Sequence, residues 1–157
     1  MADAKLVELA KQVVAELNTA SATAAFETSG WTATRKYVPR KELTDTDSLQ
    51  VSVAMNGWRA SPDNRAEWLY EYDIGIGVQY RAAASSGVEA TTTFDTYVRL
   101  VEQIADYYRF TRPATADCVL TEIAFGGPSG LPYFPDHIEQ FNQITGVVIL
   151  TFQKERT

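Results

Sequence analysis

The sequence predicts an α+β fold: a mostly antiparallel sheet of about five strands, with two helices on one face. Three observations carry that expectation. Tyr70, Tyr72, Ile74, Ile76, Val78 and Tyr80 alternate with Glu71, Asp73, Gly75, Gly77, Gln79 and Arg81, a strict period of two that marks a half-buried central strand. Phe94, Tyr97, Val98, Val101, Ile104, Ala105 and Tyr108 form a single stripe at helical spacing. The inferred order, α-β-β-β-α-β-β, groups strands around a helix without the βαβ alternation of a parallel sheet.

In chain order, residues 3–18 read as an amphipathic helix, with Leu6, Leu9, Ala10, Val13 and Leu17 on one side and Asp3 as its N-cap. Residues 19–32 read as a linking segment pinned to the body by Phe26 and Trp31. A strand is expected over 33–39, a polar turn over 40–48, and a second strand where Leu49, Val51, Val53 and Met55 alternate. Asn56–Glu67 holds Asn56-Gly57 and Ser61-Pro62-Asp63-Asn64. It is too long for a tight hairpin and is expected to be a projecting loop before the central strand, Trp68–Arg81. Residues 82–93 are small and polar. The strongest helix then spans 94–110, with Asp95 at its start, Arg109 and Arg112 at its end, and Pro113 as its stop. Strands are expected over 117–125 and 143–153. The segment 126–137 between them, with three Gly and three Pro, is restricted to turns.

A chain of 157 residues is most simply one domain, with room for a proper core. Its hydrophobic fraction of 45% and charged fraction of 22% are those of a folded soluble protein. A net charge of −6 argues against non-specific binding to DNA or to an anionic membrane. The local exception is the basic run 35–41, which reads as a solvated strand edge ahead of a nucleic-acid contact. The single cysteine, Cys118, excludes an intrachain disulfide and sits in an apolar run. With no signal peptide and no run of membrane-spanning length, the chain is expected to fold in a reducing cytoplasm.

Chemistry is sparse. His137 is the only histidine, and Ser129 lacks the glycine spacing of a nucleophile elbow. Gly75-Ile76-Gly77 lies mid-strand with no helix after it, so it is not a phosphate cradle. No cluster has metal-ligand spacing, so neither a metal nor a cofactor is expected. Glu71 and Asp73 share a strand face about 7 Å apart, a spacing at which carboxylates can do acid–base work, although a solvated or interface-facing surface is the commoner meaning. Gly75 and Gly77 lie on that same face. Glycine within a strand marks either the close approach of something packed against it or a bulge. Trp58 in the first loop, and Leu131, Tyr133 and Phe134 in the second, are apolar residues at loop positions and are candidates for a partner surface.

Several segments together carry a family resemblance: the opening helix; Thr34-Arg35-Lys36-Tyr37-Val38-Pro39; Leu49-Gln50-Val51-Ser52-Val53; Tyr72 to Gln79; Leu100 to Asp106; and Phe141 to Phe152. In order and length the chain resembles the tail terminator and tail completion proteins of long-tailed bacteriophages, over nearly its whole length. The resemblance implies a non-enzymatic α+β subunit of a hexameric ring. Such a ring caps the tail tube, ends tail polymerisation, and joins the tail to the head–tail connector. It implies self-association, contacts with the tail tube protein and the connector, DNA that only passes through the lumen, assembly in the host cytoplasm and residence in the virion. Two other kinds of protein stay open: a small-molecule-binding α+β domain using Tyr70, Tyr72 and Tyr80 as a pocket, and a hydrolase using Glu71 and Asp73. Another phage neck or connector protein is a further alternative.

Overall fold

The computed structural model describes residues 3–37, 48–82, 87–112 and 118–156. The architecture is α+β. A five-stranded mixed sheet has the spatial order β1-β2-β3-β5-β4, built from β1 (Ala33–Lys36), β2 (Gln50–Pro62), β3 (Trp68–Arg81), β4 (Val119–Phe125) and β5 (Gln143–Arg156). Every pairing is antiparallel except that of β1 with β2. Helices α1 (Lys5–Ala22) and α2 (Gly87–Asp106) lie on one face, and a short α3 (Pro135–Phe141) precedes β5.

β3 is the frame. It pairs with β2 from Trp68 to Gln79, and with β5 over its whole length, Trp68 opposite Arg156 and Arg81 opposite Gln143. Its even residues Tyr72, Ile74, Ile76 and Val78 are buried, as the alternation requires. They join one core with Leu9, Val13 and Leu17 of α1, Leu100, Val101, Ile104 and Ala105 of α2, and Val148, Leu150 and Phe152 of β5. Val98 and Tyr80 belong instead to a smaller cluster at the sheet end, around Phe94 and Ile144.

Several boundaries differ from the sequence expectation, each for a local reason. The most consequential is Asn56–Glu67. It is not a loop: β2 continues through a β-bulge at Asn56 to Pro62, and only residues 63–67 turn. Asn64 closes that turn, its Oδ1 accepting from the backbone N–H groups of Ala66 (2.9 Å) and Glu67 (3.1 Å). The Asn-Gly signal marks the bulge and not a turn.

α1 runs on to Ala22, because Ala20 and Ser21 are buried and extend its apolar stripe. Ala4 stands at its N-cap without a side-chain bond, while Asp3 pairs with Lys11 at 2.5 Å. Phe26 and Trp31 anchor the following segment as expected, buried and stacked 5.5 Å apart. α2 begins at Gly87, within the stretch that reads as small and polar. It gives way to a π-helical turn, Tyr107–Thr111, which directs Tyr108 and Arg112 onto α1. The Tyr108 hydroxyl there reaches the Val13 carbonyl, and Arg112 pairs with Glu16 at 2.9 Å. β1 ends at Lys36; Val38, Pro39, Pro113 and most of the basic run lie outside the described residues.

α2 lies close on β5 because Gly146 has no side chain. A Cβ there would stand 2.4 Å from a Val101 methyl and 2.8 Å from the Pro132 carbonyl. Two expectations follow, both read by chemical denaturation. Ile76, fully buried, should lose about 2–5 kcal/mol as Ile76→Ala. Gly146→Ala, an addition of one methyl group, should cost about 1–3 kcal/mol through overpacking. If Gly146→Ala leaves stability unchanged, α2 does not sit this close to β5.

Candidate assembly surfaces

Toward one end of the sheet β2, β3 and β5 continue together as an arm, residues 57–62, 68–73 and 151–156; its base, at Tyr72 and Phe152, is still part of the core, and β4 flanks β5 as far as Gln153. The arm's two faces differ because side chains alternate. On the helix-side face Trp58 lies 5.8 Å from Tyr70, which stacks 6.5 Å from the buried Tyr72. This aromatic row leads from the core to the surface. Trp58 is 55% exposed at its outer end, and Trp68 near the tip is 49% exposed. Tyr70, Tyr72 and Tyr80 therefore do not enclose a pocket. Tyr72 is core, Tyr70 continues its stack, and Tyr80 packs on Tyr97 at 4.8 Å.

The other face of the arm is a polar network. Arg59 donates to Glu71 (3.0 Å) and to Asp73 (2.9 Å). Gln153 donates to the second Glu71 oxygen at 3.0 Å, and the Thr151 hydroxyl donates to Asp73 at 2.8 Å. The two carboxylates are thus tied across three strands. Hydrogen bonding from Arg59 first, and Gln153 second, holds the Glu71 carboxyl below the usual glutamate range. A general acid requires the opposite shift. A lowered folded value means that this group's contribution to stability is present above the ordinary glutamate range and is lost as pH falls through the lowered value.

Nearer the middle of the sheet, the same open face forms a groove of about 350 Å³ over Gly75 and Gly77, walled by Asn56, Gln79, Phe134, His137 and Ile149. The bulge explains Gly75. It turns the Asn56 amide over the neighbouring strand, where a Cβ on Gly75 would stand 2.7–2.9 Å from all three amide atoms. Gly77 is less constrained, facing only the Ser52 hydroxyl at 3.2 Å. His137, stacked on Phe134 at 5.2 Å, bonds the Thr145 hydroxyl through Nδ1 at 2.8 Å, and Gln143 donates to the same hydroxyl at 2.9 Å.

The segment 126–137 is only partly the exposed loop its composition suggests. A 3-10 turn, Pro128–Gly130, bends it back so tightly that a Cβ on Gly127 would meet the Leu131 and Tyr133 carbonyls at 2.3 and 2.4 Å. α3 begins at Pro135. Leu131 is 38% exposed, whereas Tyr133 is half-buried in the Phe94–Ile144 cluster and Phe134 is half-buried against His137. The structure thus separates the residues singled out in the sequence. Trp58 sits on the arm, Gly75 and Gly77 floor the groove, and of the loop aromatics neither Tyr133 nor Phe134 is freely presented. Sequence patterning misses Trp68, Val119 and Phe110, which are 49%, 65% and 78% exposed. Trp68 continues the alternation that is core at Tyr72, Ile74 and Ile76, and Val119 lies opposite Gln153 on the open face.

Among the described residues, no group of three or more His, Cys, Asp or Glu side chains is placed to hold a metal ion, and no helix is long and apolar enough to cross a membrane. Cys118 is buried, which raises its thiol pKa. The chain matches no known protein-family model and no curated protein.

The contact over Gly75 has a direct test. Gly75→Ala should lower the melting temperature, and Asn56→Ala in the same chain should recover most of the loss, a coupling expected of side chains in contact. Additive effects of the two changes would mean that Asn56 does not lie over this glycine.

Proposed function

We propose that this chain is a structural, non-enzymatic subunit that assembles into a ring at the end of a phage tail tube, ends tube growth there and joins the tail to the head–tail connector. The reading starts from the family resemblance. The observation that supports it best is the arm. The arm carries two exposed tryptophans on one face, Trp58 at its base and Trp68 near its tip, while on the other face Arg59 bridges Glu71 and Asp73. Aromatic side chains exposed on an ordered sheet are what binding surfaces concentrate. In this reading the ring forms in the host cytoplasm and stays in the virion neck, and DNA passes its lumen without being bound. The net charge of −6 favours passage without sticking.

One observation favours a second reading, that of a small-molecule-binding domain. The groove over Gly75 and Gly77 is of ligand size and is lined by both polar and apolar groups.

The variant Trp58→Ala with Trp68→Ala separates the two. Both side chains are about half exposed, so the variant should fold with a melting temperature within a few degrees of the parent's. It should then fail to join purified heads to purified tails in a complementation assay. Normal joining by the variant would remove the arm from the partner surface.

A further inference from the structure

The sheet is open, and its two free edges match. On one side β4 is the last strand, and among the described residues nothing pairs with its outer edge. On the other side β1 covers β2 only from Val51 to Ala54, so the outer edge of the arm, residues 56–62, is also unpaired among the described residues. Exposed strand edges of this kind are templates for another chain. Each edge is regular past a bulge: β4 from Glu122 to Phe125, after the shift between Leu120 and Glu122, and the arm from Gly57 to Pro62, after the shift between Met55 and Gly57.

We infer that β4 of one copy pairs antiparallel with the β2 arm of the next, with Glu122 beside Arg59, so that the sheet continues from subunit to subunit. This deepens the ring reading above and rests on it. Direction comes first. β2 and β5 both run opposite to β3, and β4 runs opposite to β5, so β4 is antiparallel to β2. A neighbour in the same orientation therefore offers β4 an antiparallel partner, as a head-to-tail contact requires.

Register comes second. Gly126 donates to the Val147 carbonyl at 2.9 Å, so the backbone groups of Glu122 and Ala124 also point at β5 and those of Ile123 and Phe125 point out. Asp63 donates to the Glu67 carbonyl at 3.0 Å, so in the arm Gly57, Arg59 and Ser61 point inward and Trp58, Ala60 and Pro62 point out. Pro62, which has no N–H, occupies an outward position, so pairing on this edge stops short of it. Setting Ile123 opposite Trp58 joins outward groups to outward groups.

Chemistry comes third. In that register Ile123 meets Trp58 on the helix side of the sheet. On the open side Ala124 meets Gly57, and Glu122 meets Arg59. Glu122 is the one charge of β4, and Arg59 is the one charge of residues 56–62. Glu122 is exposed, and Arg59 is still 57% exposed after binding Glu71 and Asp73. Opposite charges facing across strands stabilise a pairing, and the closest side chains belong to the pair that exchanges no backbone bonds, which here is 122 with 59.

Such a pair brings its Cα atoms to about 4.5 Å, within reach of a disulfide. The test is the full-length chain carrying Glu122→Cys with Arg59→Cys in a Cys118→Ala background, oxidised under assembling conditions alongside purified tails. The expected result is a ladder at multiples of 17.4 kDa on a non-reducing gel. Neither single cysteine should give it, nor should Glu122→Cys with Ser61→Cys, a diagonal pair about 7–8 Å apart. Glu122→Arg should independently weaken assembly of the otherwise native chain. If rings form by light scattering but the 59–122 pair gives no ladder, the edge contact is wrong and the ring reading survives. If no assembly occurs even with tails present, both fail.

Discussion

The rest of the structure depends on the pairing of β3 with β5 along its whole length and with β2 from Trp68 to Gln79. Backbone groups on both edges of the strand are committed to the ladder, so its register cannot slip without turning Ile74, Ile76 and Val78 out of the core. The helices are then placed by what this frame presents. α1 and α2 cover its even face, and Gly146 on the adjoining β5 sets how near α2 can come. The same ladder, continued from Tyr72 and Phe152 toward Trp68 and Arg156, becomes the arm. Core and arm are one sheet, and the aromatic row Trp58–Tyr70–Tyr72 runs between them.

The open face follows from the same constraint. The bulge at Asn56 puts two residues of β2 against one of β3, which preserves alternation on both sides of it and turns the Asn56 amide over Gly75. Past the bulge, Arg59 can reach both Glu71 and Asp73, while Thr151 and Gln153 hold the far sides of those carboxylates. Strands that bear mutually bonded polar chains on one face and stacked rings on the other resist bending, and rigid extensions lose little entropy on docking. The proposed edge pairing uses this rigidity, because the outward groups of Trp58 and Ala60 are already held extended by the inner ladder.

Much of the fold is legible in the sequence, and the exceptions are instructive. Strict alternation fixes β3 and its buried face, because a period of two over twelve residues admits no other element. The helical stripes give α1 and α2, but not their ends: Ala20 and Ser21 look like linker until burial shows them to be the last turn of a core-facing helix. Asn56-Gly57 and Ser61-Pro62 are turn signals by composition, and both fall within a strand. A bulge and an edge proline draw on the same residues as a turn, and only the neighbouring strand tells them apart. The candidate surfaces were half legible. Gly75 and Gly77 correctly mark an unusual strand face, but the cause at Gly75 is a side chain of the same protein. Tyr133 looks exposed because its loop is rich in glycine and proline, yet that loop folds back on itself at Gly127.

The account stands or falls on the arm being an ordered continuation of the core sheet. Backbone hydrogen exchange of the free protein tests this residue by residue. Protection should run without a break along β3 from Val78 to Tyr70, and along β5 from Val148 to Gln153, with Glu71 and Asp73 protected although their side chains lie on the face away from the helices. Protection that ends near Ile74, with Glu71 and Asp73 exchanging as fast as the turn at Asn64, would contradict it.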